Sequence, residues 1–364
     1  MGSDHMPGNQ SWQRYDWRRS YAWNYARFPQ PASVEVPHVA GSWDYCGLSV
    51  DSPLGVPAGP LLNRGWCLYY ASLGFDVLTY KTVRSRSHGC YDLPNLQPVE
   101  VVQPLVGGES RLSACDVMQG SWAVSFGMPS RSPDEWRADV EQTRNELPEG
   151  KILSVSVVAT IQPGWSIKEV AEDYALCARW AVDSGADCVE TNFSCPNVST
   201  CDGQLYQEPE AAGYVASAVR QAIGDVPYII KVGHLRTRVA GEALLDAVAP
   251  YVDAIAMTNS IATTVQKTDR QLLFAGQKRG ICGAAISAAS IEQMHWMCQL
   301  IGQREENVRL IGVGGVRSLV EVNAYMDAGA HAVQLATAAM TDPAIGLRLR
   351  RAMSYDTWRS TKIS

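Results

Sequence analysis

From about residue 53 onward the sequence alternates between short apolar runs rich in β-branched residues and longer stretches with helical periodicity. The candidate strands are Leu54–Ala58, Phe75–Lys81, Ile152–Val158, Cys188–Asn192, Tyr228–Val232, Ala254–Thr258, Leu310–Val313 and Ala332–Leu335. Between them, apolar residues gather on single helical faces: Val170, Tyr174, Cys177 and Ala181 recur at spacings of 4, 3 and 4 residues. Repeated strand–helix alternation implies parallel strands, because each helix carries the chain back to the same end of the sheet. About eight such units close the sheet into a (β/α)8 TIM barrel. An open doubly wound sheet is the alternative, and the absence of G-x-G-x-x-G after the first strand counts against it. The chain has 364 residues, more than the roughly 250 one barrel needs, so an extension and long loops are expected.

Two regions interrupt the alternation. Residues 82–121, with Gly, Pro and short apolar runs, read as an insertion between the second strand and its helix, and residues 259–285 as a long loop after the sixth strand. Long loops at the C-terminal ends of barrel strands are where sites are built. No repeat, low-complexity tract or linker divides the chain. Residues 1–44 are read as an expression scar (Met1–Met6) followed by an N-terminal extension, and residues 45–364 as one barrel domain. In the extension, a helix over 12–28 would place Trp17, Tyr21, Tyr25 and Phe28 on one face, with Arg14 and Asn24 on or near it. Such a face either packs on the barrel, the preferred reading, or lies on a membrane surface to collect a quinone.

Composition removes several function classes. The net charge is -6 and no Lys/Arg run tracks a phosphate backbone, so no nucleic-acid partner is expected. None of the ten cysteines forms a C-x-x-C pair, which argues against a zinc ribbon, an iron–sulfur cluster or any metal site of that type. A chain of this size needs no disulfide staples, and its thiols are read as reduced, in a cytoplasmic protein. No run of about 18 apolar residues exists to span a membrane.

The most specific segment is Thr191-Asn192-Phe193-Ser194-Cys195-Pro196-Asn197, directly after the fourth strand. Asn192 and Asn197 offer donors and acceptors suited to the edge of a cyclic amide or imide. Cys195 between them can act as base or nucleophile once its proton leaves. A buried Cys in an Asn/Pro turn is the competing reading, and the position after a strand with flanking asparagines weighs against it. Lys81 and Lys231 each close an otherwise apolar strand, unusual for surface lysines. Gly312-Val313-Gly314-Gly315 opens a helix after the seventh strand, and Ala336-Thr337 follow the eighth. Glycines there let backbone N–H groups close on a phosphate, and those two loops form the usual barrel phosphate site.

The string NFSCPN is similar to the N-x-S-C-P-N signature of dihydroorotate dehydrogenases, and more loosely to the matching loop of dihydropyrimidine dehydrogenases. The resemblance extends over most of residues 45–350. It implies FMN as cofactor and oxidation of dihydroorotate to orotate, with hydride passing to FMN and Cys195 taking the C5 proton. The soluble branch of the family has Cys as base where the membrane-associated, quinone-using branch has Ser, so Cys195 places this chain with the former. Membrane contact is therefore not expected, and a small-molecule substrate and a homodimer are. The resemblance further places Lys81 near flavin and substrate, and Lys231 at the flavin N1/O2 edge, where a fixed cation stabilises developing negative charge. It assigns Ala58, Gly59, Asn192, Gly280, Gly283, Gly314, Gly315, Ala336 and Thr337 to the cofactor. Asn192, Asn197, Asn259, Ser260, Ser125, Gly127 and Met128 fall to the substrate.

The chain departs from the family in the substrate loop. Where the pattern reads close to N-S-x-G-L-P-N, this sequence has Val124-Ser125-Phe126-Gly127-Met128-Pro129-Ser130, and both terminal asparagines are gone. The stretch Thr200-Cys201-Asp202-Gly203-Gln204 is also unlike the common family loop. Two alternatives therefore stand beside a dihydroorotate enzyme. One is a flavin dehydrogenase or reductase acting on another dihydropyrimidine, cyclic amide or enone. The other is a flavin-binding sensor without turnover, against which Cys195 and both lysines speak.

Overall fold

The computed structural model describes residues 12–109, 111–194 and 205–354. Eight parallel strands close into a barrel: Leu54–Val56, Val77–Val83, Ile152–Val157, Cys188–Asn192, Tyr228–Lys231, Ala254–Met257, Arg309–Val313 and Ala332–Gln334. All eight expected strands are present, with ends displaced by no more than two residues. The eighth pairs with the first through Val333–Leu54 and Gln334–Gly55, which completes the ring.

Strand alternation sorts the side chains. Leu78, Tyr80, Leu153, Val155, Val189, Ile230 and Ile255 point outward into the core beneath the helices. Val77, Ile152, Cys188, Ile229, Ala254 and Ala332 point inward at the barrel's N-terminal end, closed there by Tyr45. Tyr45 comes from a hairpin of Trp43–Tyr45 and Leu48–Val50. Two residues further along the strands the inward positions become polar: Thr79, Ser154, Glu190, Lys231 and Gln334, all buried. Two more bring Lys81, Ser156 and Asn192 to the mouth. The interior thus grades from apolar to charged toward the C-terminal ends of the strands.

The two interruptions fold together. Leu96–Glu100, Arg111–Ala114 and Ser121–Val124 from the first, with Ile261–Gln266 and Arg279–Gly283 from the second, form a closed five-stranded sheet over the mouth. Residues 259–285, expected as a loop, therefore hold two strands. The burial of Ile261–Gln266 alternates residue by residue around a small core of Val99, Ala123, Val265 and Ile281. The pairing partners lie far away in sequence, which is why the segment does not declare itself locally.

The N-terminal segment also departs from expectation. Only Tyr21–Ala26 is helical, rather than a helix over 12–28. Ser20 caps it by accepting from the Trp23 N–H. The buried Asn24 side chain accepts from Asp16 N at 2.9 Å and donates to Asp16 O and Ser20 O, both at 3.0 Å. These bonds fold residues 16–20 into a turn that a continuous helix would break. Tyr15 and Tyr21 are buried and meet the Phe126 ring edge-on at 6.2 and 6.3 Å. The segment thus packs behind the loop that carries Val124–Ser130. Among the described residues no helix is long and apolar enough to cross a membrane.

Asp76, fully buried before the second strand, accepts from Ser52, Lys151 and, at 3.1 Å, Arg350. It ties the entries to the first three strands to the last described helix, Ile345–Met353. Asp76→Asn would leave two cations without their carboxylate, so the variant is expected to lose on the order of 3–5 kcal/mol. Urea unfolding measures this, and a loss under about 1 kcal/mol would show the clasp to be dispensable.

Candidate active site

The mouth of the barrel and the five-stranded sheet above it enclose a cavity of about 360 Å³, within the range of small-ligand sites. Its floor is the set of strand ends. Ala58 and Gly59 follow the first strand, and Lys81, Asn192 and Lys231 line the cavity from the second, fourth and fifth. Gly59 has φ +136°, and a Cβ placed on it would meet nothing within 4 Å. Any side chain there would project into open cavity, so glycine keeps the floor flat enough for a planar ring. Lys231 is only 2% exposed, and its Nζ donates to Glu190 Oε1 at 2.6 Å. Glu190, equally buried, was not singled out in the sequence, because a Glu inside an apolar strand shows its role only once its partner is known.

At one end of the floor stand Gly314 and Gly315, with φ +120° and +75°. A Cβ on Gly314 would come 2.6 Å from Ser290 Oγ, and one on Gly315 would come 2.6 Å from Ser287 Cβ. Only glycine fits these two positions, and their bare backbone faces the cavity together with Ala336 and Thr337. Gly312 lies outside the lining, its missing Cβ making room for the Tyr325 ring. The arrangement suits a phosphate group whose negative charge the backbone N–H groups receive.

The roof obeys strand alternation. Trp122 and Val124 line the cavity, as do Gly280 and Cys282 on the neighbouring strand, with Val124 directly opposite Gly280. Gly283, also in the lining, allows close approach: a Cβ there would lie 2.1 Å from Gly120 O. Ser125 faces away from the cavity, its hydroxyl accepting from Arg279 Nε at 2.8 Å. Expected among the substrate contacts, it follows the cavity-lining Val124 and lies outside the cavity lining, since successive side chains of an extended segment point to opposite faces. Phe126, Gly127 and Met128 return to the cavity. Ser130 does not line it, and its hydroxyl accepts from Arg84 N and donates to Arg131 O. Two scaffolding residues were missed. Buried Arg84 donates from Nε to Met128 O at 3.1 Å, and Asn95 donates to Ser125 O at 3.1 Å. Arg84 closes the TYKTVR run, a signal that was present in the sequence.

Asn192 donates to Met128 Sδ at 3.4 Å and accepts from Ser194 N at 3.2 Å. Asn259 donates to Ser194 O at 2.9 Å. Both asparagines therefore fix the start of the segment that continues into Cys195. Ser260 Oγ, buried in the cavity wall, has no hydrogen-bond partner among the described residues and is a polar atom left for a ligand. Cys195 and Asn197, with Cys201, lie outside the described residues. A cavity thiol went unmarked: Cys282 donates to Asn259 O at 3.4 Å. Burial pushes its pKa up to about 12 against the opposing charge of Lys231, so it stays protonated. Its place inside GICG could have drawn attention to it.

A parallel barrel with buried lysines at its mouth, two glycine-only positions at one end and a covered cavity over the strand ends defines a class: a barrel protein with an enzyme-type site at the C-terminal ends of its strands. Comparison with known proteins narrows it. The family model "Dihydroorotate dehydrogenase" matches residues 111–354. The dihydroorotate dehydrogenase of Dictyostelium discoideum is 31% identical over 321 residues, 84% of this chain and 86% of that protein. The catalytic subunit of the NAD(+)-type dihydroorotate dehydrogenase B of Methanothermobacter thermautotrophicus is 32% identical over 50% of this chain and 59% of its own length. Among solved structures, dihydroorotate dehydrogenase from Eimeria tenella in complex with ferulenol superposes with a TM-score of 0.71 over 92% of this chain and 88% of that one. At 16% identity this likeness speaks to the fold. The chain belongs to the dihydroorotate dehydrogenase family and is an oxidoreductase acting on a CH–CH group.

The Lys231–Glu190 pair couples site to stability. Lys231→Met would strand a buried carboxylate and is expected to destabilise the protein by about 3–5 kcal/mol. Adding Glu190→Gln should restore much of that loss. A double-mutant cycle in urea reads the coupling directly, and additive losses would show the two residues to be independent.

Proposed function

We propose that the protein oxidises dihydroorotate to orotate with FMN bound in this cavity and Cys195 as the proton acceptor. The observation that carries the reading is the pairing of a buried lysine on the cavity floor with a glycine-only cradle at the cavity's end. Gly314 and Gly315, with Ala336 and Thr337, would hold the phosphate, while Ala58, Gly59, Lys81 and Lys231 would lie along the ring. FMN, when bound, supplies a two-electron acceptor for hydride. The protein's own part is electrostatic and positional. Lys231 and Lys81 place positive charge where negative charge grows. Asn192 and Asn259 brace the segment leading to Cys195. As the thiolate, Cys195 takes the proton from the carbon next to the substrate carbonyl and becomes the thiol as hydride leaves the neighbouring carbon. Resemblance to the soluble, Cys-bearing branch supports a cytoplasmic homodimer.

The purified protein should be yellow and carry one FMN per chain, and dihydroorotate should bleach it anaerobically. Cys195→Ala should slow bleaching by about 10²–10⁴-fold with FMN retained, while Cys201→Ala changes it little. The parental rate should rise with pH around the ordinary thiol value of about 8.5. A colourless protein, released FAD, or near-parental bleaching by Cys195→Ala would each overturn the reading.

One observation favours a second substrate. The roof presents Val124 where a hydrogen-bonding side chain would hold orotate, and neither Ser125 nor Ser130 faces the cavity to replace it. An unpaired polar substrate edge costs about 1–3 kcal/mol, so another dihydropyrimidine, cyclic amide or enone could fit better. Val124→Asn should accordingly tighten orotate binding by roughly 5–150-fold. Weaker binding in a calorimetric titration would show that the apolar wall belongs to the true ligand. Bleaching screens with dihydroorotate, dihydrouracil and dihydrothymine separate the two substrate readings.

A further inference from the structure

Glu190 belongs to no motif used so far, yet its buried carboxylate is bonded to Lys231 of the cavity floor. Asn192 and Lys231 face each other in register across the fourth and fifth strands, and Glu190 precedes Asn192 by two residues on the same inward face. The carboxylate therefore sits one step down inside the barrel. Lys231 lines the cavity, and its Nζ reaches back to Glu190 Oε1 at 2.6 Å, with both side chains 2% exposed. The register partners of Glu190 on the two flanking strands, Ser156 and Ile229, carry no charge.

From this geometry we infer that Glu190 is a positioning residue for Lys231, pinning its ammonium to the floor and moderating the positive charge the cavity feels. Two consequences follow from elementary electrostatics. A lysine tail has several rotatable bonds and a single strong acceptor beneath it removes that freedom, so the cation is preorganised before any ligand arrives. The same carboxylate offsets part of the lysine's field. With Lys81 as the second floor cation, the three groups sum to one net positive charge instead of two. A bound group that gains negative charge on reduction is stabilised by the floor, but less than by two bare lysines. Glu190 thereby sets how strongly the site draws electrons from its substrate, while Lys231 supplies the contact.

The inference rests on the reading of the cavity as an FMN site, and the test separates the two. Glu190→Gln keeps the shape and a carbonyl acceptor for Lys231 but removes the negative charge. The two-electron midpoint potential of bound FMN should rise in this variant by about 30 mV or more, a tenfold change in the equilibrium constant. Glu190→Asp, which keeps the charge on a shorter stem, should stay near the parental potential. Lys231→Met/Glu190→Gln should fall below Glu190→Gln. A role confined to holding the barrel together would instead lower the melting temperature of Glu190→Gln and Glu190→Asp alike and leave both potentials unmoved. An unchanged or lowered potential in Glu190→Gln overturns the inference, as does equality between that variant and the double variant. A parental protein that takes up no FMN defeats the reading of the cavity itself; a yellow parent with an unmoved Glu190→Gln potential defeats only the role of Glu190.

Discussion

Closure of eight parallel strands forces every second side chain into a space that no water layer fills, and the chemistry of that inward row decides everything above it. At the N-terminal end the row is Val77, Ile152, Cys188 and Ile229 under Tyr45, an apolar plug that costs nothing in unpaired polarity. At the other end it becomes Lys81, Glu190, Asn192 and Lys231. Charges at such depth persist only when paired, and the Lys231–Glu190 bond meets that condition from within the barrel. The ammonium can then face the cavity without depending on a ligand to neutralise it. Barrel closure, ion pair and site are one arrangement seen at three scales.

The roof follows a different rule. It is assembled from two segments inserted at separate points of the chain, and strand alternation allots their residues to opposite faces. Val124, Gly280 and Cys282 look down into the cavity, whereas Ser125 and Arg279 turn into the small sheet's interior and bond to each other. The buried arginine of that pair cannot be exchanged without disturbing the loop anchored to it. The segment from Phe126 to Met128 is held from behind by Arg84 and Asn95, and the rings of Tyr15 and Tyr21 lean on Phe126. The N-terminal segment thus acts on the site through packing.

What the sequence disclosed tracks how local each signal is. The barrel strands were legible because each is a short apolar run with its own boundaries, and Lys81, Lys231, Gly314 and Gly315 because a charge or a glycine at a strand end is conspicuous. The five-stranded sheet was not legible: Ile261–Gln266 pairs with Arg111–Ala114, and nothing in either run announces the other. The N-terminal helix was misjudged because aromatic spacing does not show that the Asn24 side chain bonds back to Asp16 and Ser20, which holds residues 16–20 in a turn and delays the helix to Tyr21. The face that Ser125 takes was not legible for a simpler reason. A motif gives the order of residues along a loop, while the face each occupies depends on a strand register that only pairing sets.

Floor and roof are therefore open to change in unequal degree. A floor residue such as Lys231 is bound to the barrel's interior, so replacing it strands a buried charge and threatens the fold as well as the chemistry. A roof residue such as Val124 faces the cavity, and its partner on the neighbouring strand, Gly280, has no side chain to pack against it. Its replacement alters what the cavity holds at little structural cost. A chain drifting toward a new substrate would keep Lys81, Lys231, Gly314 and Gly315 and vary the substrate loop. The resemblance noted in the sequence follows that pattern: Lys81, Lys231, Gly314 and Gly315 stand where the family pattern has them, while Val124 and Ser130 replace its asparagines and the stretch 200–204 differs as well. Ser130, buried behind the wall and bonded to Arg84 and Arg131, can bear on the ligand only through the backbone it holds. Of Val124 and Ser130, only Val124 lines the cavity, so it is the departure in the described roof that is placed to bear on what the cavity holds.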